Sequence, residues 1–284
     1  MQTIDFNELP RWTPWPDRLL GNVPWDIPER GLEKVQAEYD AGKYAQCLQY
    51  FQETDGEVTP DDVRRFQMEQ GPDETICVSL PGKLALMPFE EARGRFHRLV
   101  ADTLRPALEN NPTVVELGCG FGYNLWVLSQ SFPGYNFLGG EYAANAVRLA
   151  DGLYRDIPQI QISPFNFYDH TYDILEQASG PLVIFTAFAI EQLPSAQKFF
   201  DALGRHREKI EAVFHFEPVY ELFDKTTLLG LMCRRYVECN DYNRDLRSQL
   251  QQRSQDIHVL KTDANVLGIN PLFPISTIHW EYRP

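Results

Sequence analysis

From residue 111 onward, short apolar runs alternate with stretches in which apolar positions recur every three or four residues. The runs fall at 113–117, 135–141, 159–162, 181–186 and 212–216. Helical patterns begin at 124 and cover 143–153, 194–207 and most of 223–253. Two further runs, 257–260 and 276–280, close the chain with no long helix between them. Continuous apolar runs separated by amphipathic helices predict a parallel sheet covered on both faces.

Before residue 111 the pattern is different. Residues 1–30 carry Trp12, Pro14, Trp15, Pro16, Pro24, Trp25 and Pro28, and are read as neither regular helix nor strand. Three tryptophans in such an arm predict packing onto a larger body, or the wall of a pocket. A helix is expected over 29–52, with Leu32, Val35, Tyr39 and Tyr44 partly in register and Gly42 weakening it. Thr59-Pro60-Asp61-Asp62 has the chemistry of a helix start, with Val63, Phe66 and Gln67 inward. Runs at 75–80 and 83–87 flank Pro81-Gly82 and predict a hairpin, and 89–108 reads as a third helix. The division expected is a mostly helical cap with a small hairpin over 1–110, without legible chemistry, and an α/β domain over 111–284.

The first apolar run of that domain continues as Val114-Val115-Glu116-Leu117-Gly118-Cys119-Gly120-Phe121-Gly122-Tyr123. A strand ends in an acid, a loop has glycine at every second position, and a helix follows. Glycines let a backbone turn tightly and approach a ligand, and a helix start offers free N–H groups. The dinucleotide pattern G-x-G-x-x-G does not fit, because Tyr123 stands where its third glycine would fall. Glu116-Leu117-Gly118-Cys119-Gly120-Phe121-Gly122 instead resembles motif I, E/D-x-G-x-G-x-G, of class I S-adenosylmethionine (SAM)-dependent methyltransferases. The resemblance covers roughly 112–284. It implies a seven-stranded, mostly parallel, doubly wound sheet with an antiparallel last strand, and SAM as cofactor.

The resemblance also assigns roles. Glu141, 25 positions after Glu116 and at the end of the second run, falls where the family places the acid that accepts the ribose hydroxyls. Asn166 and Phe167 follow the third run, where the family holds adenine; Asp169 competes for that position. Thr186 opens the stretch that would hold the methionine end. Cofactor contacts are thus expected from Glu116, Gly118, Gly120, Gly122, Glu141, Asn166, Phe167 and Thr186. Many relatives carry Glu-His after the fourth strand; here Glu191-Gln192 removes that histidine. Glu191, His215, Glu217 and Glu221 are expected to converge at one rim, with Glu191, His215 and Glu217 as catalytic candidates. Tyr236, Tyr242 and the loop 270–274 are candidate walls of the acceptor pocket. Each has an ordinary alternative as a helix cap, core side chain or turn residue.

Composition narrows the partners. The 284 residues hold 26 Lys and Arg against 40 Asp and Glu, a formal net charge of -14, with no basic run. That disfavours a nucleic-acid partner, which needs a basic footprint, and suits a neutral or cationic small molecule. The five cysteines form no C-x-x-C pair and the six histidines show no metal spacing, so reduced thiols, a cytoplasmic location and no metal are expected. No signal peptide and no membrane span are read. The expected function is SAM-dependent methylation of a small molecule, nitrogen favoured over oxygen because of the acidic rim. The alternatives are a methyltransferase of peptide or protein side chains, and a non-catalytic SAM-binding protein whose cap is an interaction surface. The oligomeric state is not legible.

Overall fold

Seven strands form the central sheet of the computed structural model, which describes residues 1–25, 33, 36–68, 71–178 and 180–283. They are β4 (Thr113–Leu117), β5 (Phe137–Glu141), β6 (Ile160–Pro164), β7 (Leu182–Ala187), β8 (Ile210–Glu217), β9 (Ile257–Leu267) and β10 (Ile275–Tyr282). Their order is β6-β5-β4-β7-β8-β10-β9. Strands β4 to β8 pair in parallel. The last strand, β10, enters antiparallel between β8 and β9.

Burial explains why the parallel strands read as apolar runs. Every residue of β7 is buried, because helices cover both of its faces. One face packs Val115, Leu138, Ile184 and Val213 against Phe199, Phe200 and Trp280. The other packs Val114, Phe137, Val183 and Phe214 against Leu104, Leu125 and Phe132. The edge strand β9 runs seven residues beyond the expected 257–260. Its middle is mostly exposed, so Lys261-Thr262-Asp263 carries no apolar signal.

The helices of this domain are α5 (Tyr123–Ser131), α6 (Ala144–Leu153), α7 (Gln197–Leu203), α8 (Leu228–Cys239) and α9 (Leu246–Gln252). The expected helix over 194–207 is shorter, ending in a 3-10 turn at Gly204–Lys209. The stretch 223–253 breaks in two at Asn243, whose side chain binds the Leu193 carbonyl and the turn before α9.

The first 110 residues add α1 (Trp15–Leu19), α2 (Ala45–Glu53), α3 (Pro60–Gln67), α4 (Phe89–Leu104), and the strands β1 (Gln2–Ile4), β2 (Thr75–Leu80) and β3 (Lys83–Pro88). The N-terminus is more regular than its composition suggests. Strand β1 pairs antiparallel with β3, making a three-stranded sheet from the predicted hairpin. Pro16 occupies the first turn of α1, where a missing N–H costs nothing. At α3 the Thr59 hydroxyl accepts from Asp62 N while Asp62 accepts from Thr59 N, a reciprocal cap. Val63 is buried, but Phe66 is exposed on one side and stacks on Tyr50.

Much of the helix expected over 29–52, including Leu32 and Val35, lies outside the described residues. The rest divides into a π-helical segment, Ala37–Tyr44, and α2. Gly42 sits in the π-helical part.

These residues share cores with the α/β domain. Leu9 and Leu19 cluster with Tyr236, Val237 and Phe273. Cys47 and Val63 cluster with Phe121, Ala146 and Leu149. Strand β2 also bridges to the turn after β9 through Ser79 and Gly268. Trp15 packs edge-on against Tyr236, with ring centroids 4.6 Å apart, whereas Trp12 and Trp25 keep over a third of their surface exposed. All five cysteines are unpaired and buried.

Candidate functional site

In an open α/β sheet the ligand crevice lies beyond the carboxyl ends of the strands. A cleft of about 820 Å³ opens there, lined by Gly118 after β4, Glu141 at the end of β5, and Phe165, Asn166 and Phe167 after β6. Phe188 and Ala189 after β7 complete the sheet side.

The glycine loop is shaped by what presses on it. Gly118, Gly120 and Gly122 all have positive φ, the left-handed region that favours glycine. A Cβ on Gly118 would come 2.5 Å from the Ala189 Cβ and 3.2 Å from the Phe167 ring. A Cβ on Gly120 would collide with the Tyr44 hydroxyl. Gly120 thus makes room for a side chain of the cap.

Glu116 is almost fully buried behind this loop. Its Oε1 accepts from Asn124 Nδ2 at 2.7 Å, and its Oε2 has no partner. Burial, with smaller contributions from the nearby Glu141 and Glu217 charges, pushes its carboxyl up to about 8. Glu141 is in a different position. Its Oε2 accepts from Gly120 N and its Oε1 from Ala143 N, both at 2.8 Å, so the carboxylate bridges the loop and the start of α6. Burial raises its pKa and those backbone donors lower it in part.

Asn166 makes a turn of its own. Its Oδ1 accepts from Tyr168 N at 2.9 Å, which leaves the NH₂ arm to meet a ligand. Phe167 packs edge-on against Phe165 and Tyr172. Asp169 does not line the cleft; its N–H donates to the Asn166 carbonyl.

The residues expected to converge at the other rim separate. His215 has no exposed surface. Trp280 Nε1, which can only donate, lies 2.9 Å from His215 Nε2, so that nitrogen is an acceptor and the proton sits on Nδ1. Nδ1 therefore donates to the Thr186 hydroxyl, 2.9 Å away. The hydroxyl proton is left to bond Glu217. Burial holds the imidazole neutral, down to about 3. His215 is a core histidine and cannot take a proton from a substrate in the cleft. Thr186, equally buried, is a link in the same chain and not part of the cleft wall.

Glu191 and Glu217 come together and are both sealed. Glu217 accepts from Ala189 N and Ile190 N, at 3.1 Å each. Two neighbouring buried carboxylates do not both ionise. Burial and the Glu217 charge raise Glu191 well above the carboxylate range, so Glu191 holds the proton and donates it to Glu217. Glu221 is elsewhere: its carboxylate accepts from Arg247 N, Ser248 N and the Ser248 hydroxyl at the start of α9. Tyr236, Tyr242 and Phe273 stack on one another and do not line the cleft, although Phe273 lies against Phe188, which does.

The cleft residues that the sequence did not announce come from the α/β domain, as Tyr142, Ala143 and Tyr168, and from the cap. Gln36, Tyr39, Asp40 and Tyr44 form its outer wall. Asp40 is tied to the start of α6, accepting from Asn145 N at 2.7 Å through its side chain and from Asn145 Nδ2 through its carbonyl. The only local signal was Gly42, read as a helix weakness; single π turns do cluster at functional sites.

Among the described residues no group of three or more His, Cys, Asp or Glu could hold a metal ion, and no helix is long and apolar enough to cross a membrane.

The sheet order, with its antiparallel β10 between β8 and β9, defines the class I SAM-dependent methyltransferase fold. No family model and no curated protein sequence matches the chain. Solved structures do. Magnesium protoporphyrin IX methyltransferase (ChlM) from Synechocystis PCC 6803, with bound S-adenosylhomocysteine (SAH), is similar with a TM-score of 0.51 and 12% identity, over 89% of this chain and 100% of that one. The plantazolicin methyltransferase BpumL, in complex with a monoazolic desmethylPZN analog and SAH, has a TM-score of 0.45 and 12% identity over 88% of this chain and 98% of its own. Geranyl diphosphate C-methyltransferase from Streptomyces coelicolor A3(2) has 0.45 and 12%, over 67% of this chain and 80% of that one. At such identities the likeness is one of fold, and the first of the three carries it.

Proposed function

We propose that this chain is a SAM-dependent methyltransferase of a small molecule, acting in the cytoplasm, with residues 1–110 as a cap and 111–284 as the donor-binding domain. The observation that carries this reading is the cleft itself. A motif-I glycine and a strand-end carboxylate line one side of it at the carboxyl ends of the strands, where ligands bind in such sheets, and residues of the cap line the other. The residues present suit the donor. Glu141 offers a carboxylate to ribose hydroxyls, Asn166 an amide and Phe167 an apolar surface to adenine, and Gly118 bare backbone to the methionine end. The orphaned Oε2 of Glu116 is a buried polar atom that still needs a partner.

SAM supplies a methyl group already activated by its sulfonium, so the protein's part is chiefly to hold the acceptor in line with it. Nitrogen is favoured as the acceptor atom. His215 is sealed and neutral, and Glu191 and Glu217 are sealed by the turn they support, so none of the three meets a hydroxyl in the cleft. An amine needs only to lose its proton to solvent or to a wall group such as Asp40 before its lone pair is used. In this reading Glu191, His215 and Glu217 position the 187–193 turn and touch neither donor nor acceptor.

The test is calorimetry and thermal shift with SAM, SAH and NAD. Micromolar affinity for the first two, on the order of -8 kcal/mol, is expected. No response to SAM or SAH sinks the reading, and a response to NAD alone points to redox chemistry. A screen of amines, phenols, carboxylic acids and peptides with radiolabelled SAM then identifies the acceptor; labelling of peptides alone overturns the small-molecule part.

A further inference from the structure

Among the described residues six that are not glycine take a left-handed backbone conformation: Asp55, Asn111, Tyr172, Phe188, Asp241 and Asn265. Four of the six are Asp or Asn, whose short polar side chains tolerate that conformation. The two aromatic residues need another reason, and Tyr172 has one. It is 1% exposed, its ring packs edge-on against Phe165, and its hydroxyl donates to the Phe167 carbonyl at 3.1 Å. Core packing fixes it. Phe188, with a φ of 53°, is 36% exposed and stands in the wall of the cleft. A bulky side chain held in a disfavoured conformation beside an open cleft is the kind of strain that collects at ligand clamps.

The turn that carries Phe188 is locked. The Phe188 N–H donates to the Phe216 carbonyl at 3.3 Å, and the next two N–H groups, of Ala189 and Ile190, donate to the buried Glu217 carboxylate. Ala189 also presses on the glycine loop, where a Cβ on Gly118 would come 2.5 Å from its own. The turn cannot relax without breaking buried hydrogen bonds or displacing that loop. The Phe188 ring reaches Phe96, on α4 of the cap, at 5.8 Å and Phe273 at 6.3 Å, centroid to centroid. Phe273 in turn contacts Tyr242 at 4.8 Å and Tyr236 at 5.1 Å. Of this aromatic row Phe188 is the member that lines the cleft, one residue from the contact with Gly118.

We propose that Phe188 positions the methyl acceptor, and that the acceptor is an amine carrying a flat apolar group, such as an aromatic ring, that packs against it. This rests on the methyltransferase reading above, which gives Gly118 to the methionine end of the donor. A flat apolar group gains burial and ring-to-ring attraction against an aromatic wall. An amine suits the charge there: among the described residues the charged side chains lining the cleft are Asp40 and Glu141, both acids. A ring that cannot move holds its partner in one place, and in-line transfer depends on that. The protonated amine first loses its proton to solvent. Its lone pair then forms the N–C bond as the C–S bond breaks toward sulfur, leaving neutral SAH and the methylated ammonium.

The experiment uses the full chain, radiolabelled SAM and two sets of amines. Benzylamine, phenethylamine and tryptamine carry a ring; methylamine, ethylamine and propylamine do not. kcat/KM should be about tenfold or more higher for the ring-bearing set, the size of burying much of one aromatic group. Phe188→Asn keeps a residue that tolerates the left-handed turn and removes the ring. It should cut kcat/KM for the ring-bearing amines about tenfold and leave the ring-less amines and the Kd for SAH as in wild type. A ring that only fills space would lower Tm and affect both sets alike. If Phe188→Asn does not fold, Phe188→Gly, which suits the turn best, makes the same test. Equal rates with the two sets, labelling of neither, or a ring preference that survives the loss of Phe188 overturns the proposal. Failure to bind SAH in calorimetry sinks the methyltransferase reading and this inference with it, whereas SAH binding without a ring preference sinks this inference alone.

Discussion

Two pairs of glutamates stand at the same edge of the same sheet and differ in almost everything else. Glu116 is the last residue but one of β4 and Glu141 ends β5; Glu217 ends β8, and Glu191 follows β7 in the next turn. Glu141 faces a cleft, and two backbone N–H groups hold it there. Glu191 and Glu217 face each other, with a proton between them, under a turn that closes over them. Being at the carboxyl end of a strand makes a side chain eligible for a site, but access to the cleft decides whether it can act. Where the chain leaves the edge open, a carboxylate is available to a ligand. Where the following turn folds back, the carboxylate becomes that turn's own hydrogen-bond acceptor.

The sealed pair offers the sharpest test of that difference. Glu217→Ala removes the acceptor of Ala189 N, Ile190 N and the Glu191 carboxyl together. Buried orphans cost about 1–3 kcal/mol each, so stability should fall by at least about 3 kcal/mol in a urea titration. A loss of SAM affinity without a loss of stability would mean that Glu217 belongs to the open site after all.

Glu141→Ala should do the opposite. Its backbone partners border the cleft, so stability should change little, while SAM binding weakens by roughly 1.5–3 kcal/mol, the scale of charged hydrogen bonds. Calorimetry and urea titration on the same variant read both quantities. A destabilised protein with unchanged affinity would make Glu141 a structural clamp of the glycine loop.

Tyr44 probes the cap's side of the open site. Tyr44→Ala clears the space above Gly120 and should raise the Kd for SAM about tenfold, or 1.4 kcal/mol. Tyr44→Phe, which keeps the ring, should lie much closer to wild type. Equal affinities in all three proteins would take the cap out of the donor site.

The last test concerns Glu116, buried behind the glycine loop. Its carboxyl titrates near 8 in the folded state and near 4.3 in the unfolded chain. Between those values the folded protein holds the extra proton, so this residue's contribution to stability falls as pH rises through that window. Glu116→Gln should flatten the fall, giving a Tm advantage at pH 9 that is absent at pH 5. Parallel Tm curves for the two proteins would mean that Glu116 ionises as readily folded as unfolded.

The strands of the parallel sheet and the turn at Gly118–Gly122 were legible along the chain, because their causes are local. A strand buried on both faces must be apolar throughout, and a left-handed backbone position favours glycine whatever surrounds it. The start of α3 was legible for the same reason, since Thr59 and Asp62 satisfy each other within one turn.

What the chain in order did not announce depends on residues far apart meeting. Tyr44 covers Gly120 from 76 positions away, and no periodicity marks it. His215 looked like a base in an apolar strand until Trp280, from the antiparallel last strand, fixed its tautomer and sealed it. Glu221 looked like a member of the acidic rim until the start of α9 arrived to be capped. Local sequence sets which conformations a backbone can adopt and which faces must be buried. Whether a given carboxylate or imidazole meets a ligand or another part of the protein is decided by solvent access and distant partners, and those exist only once the chain has packed.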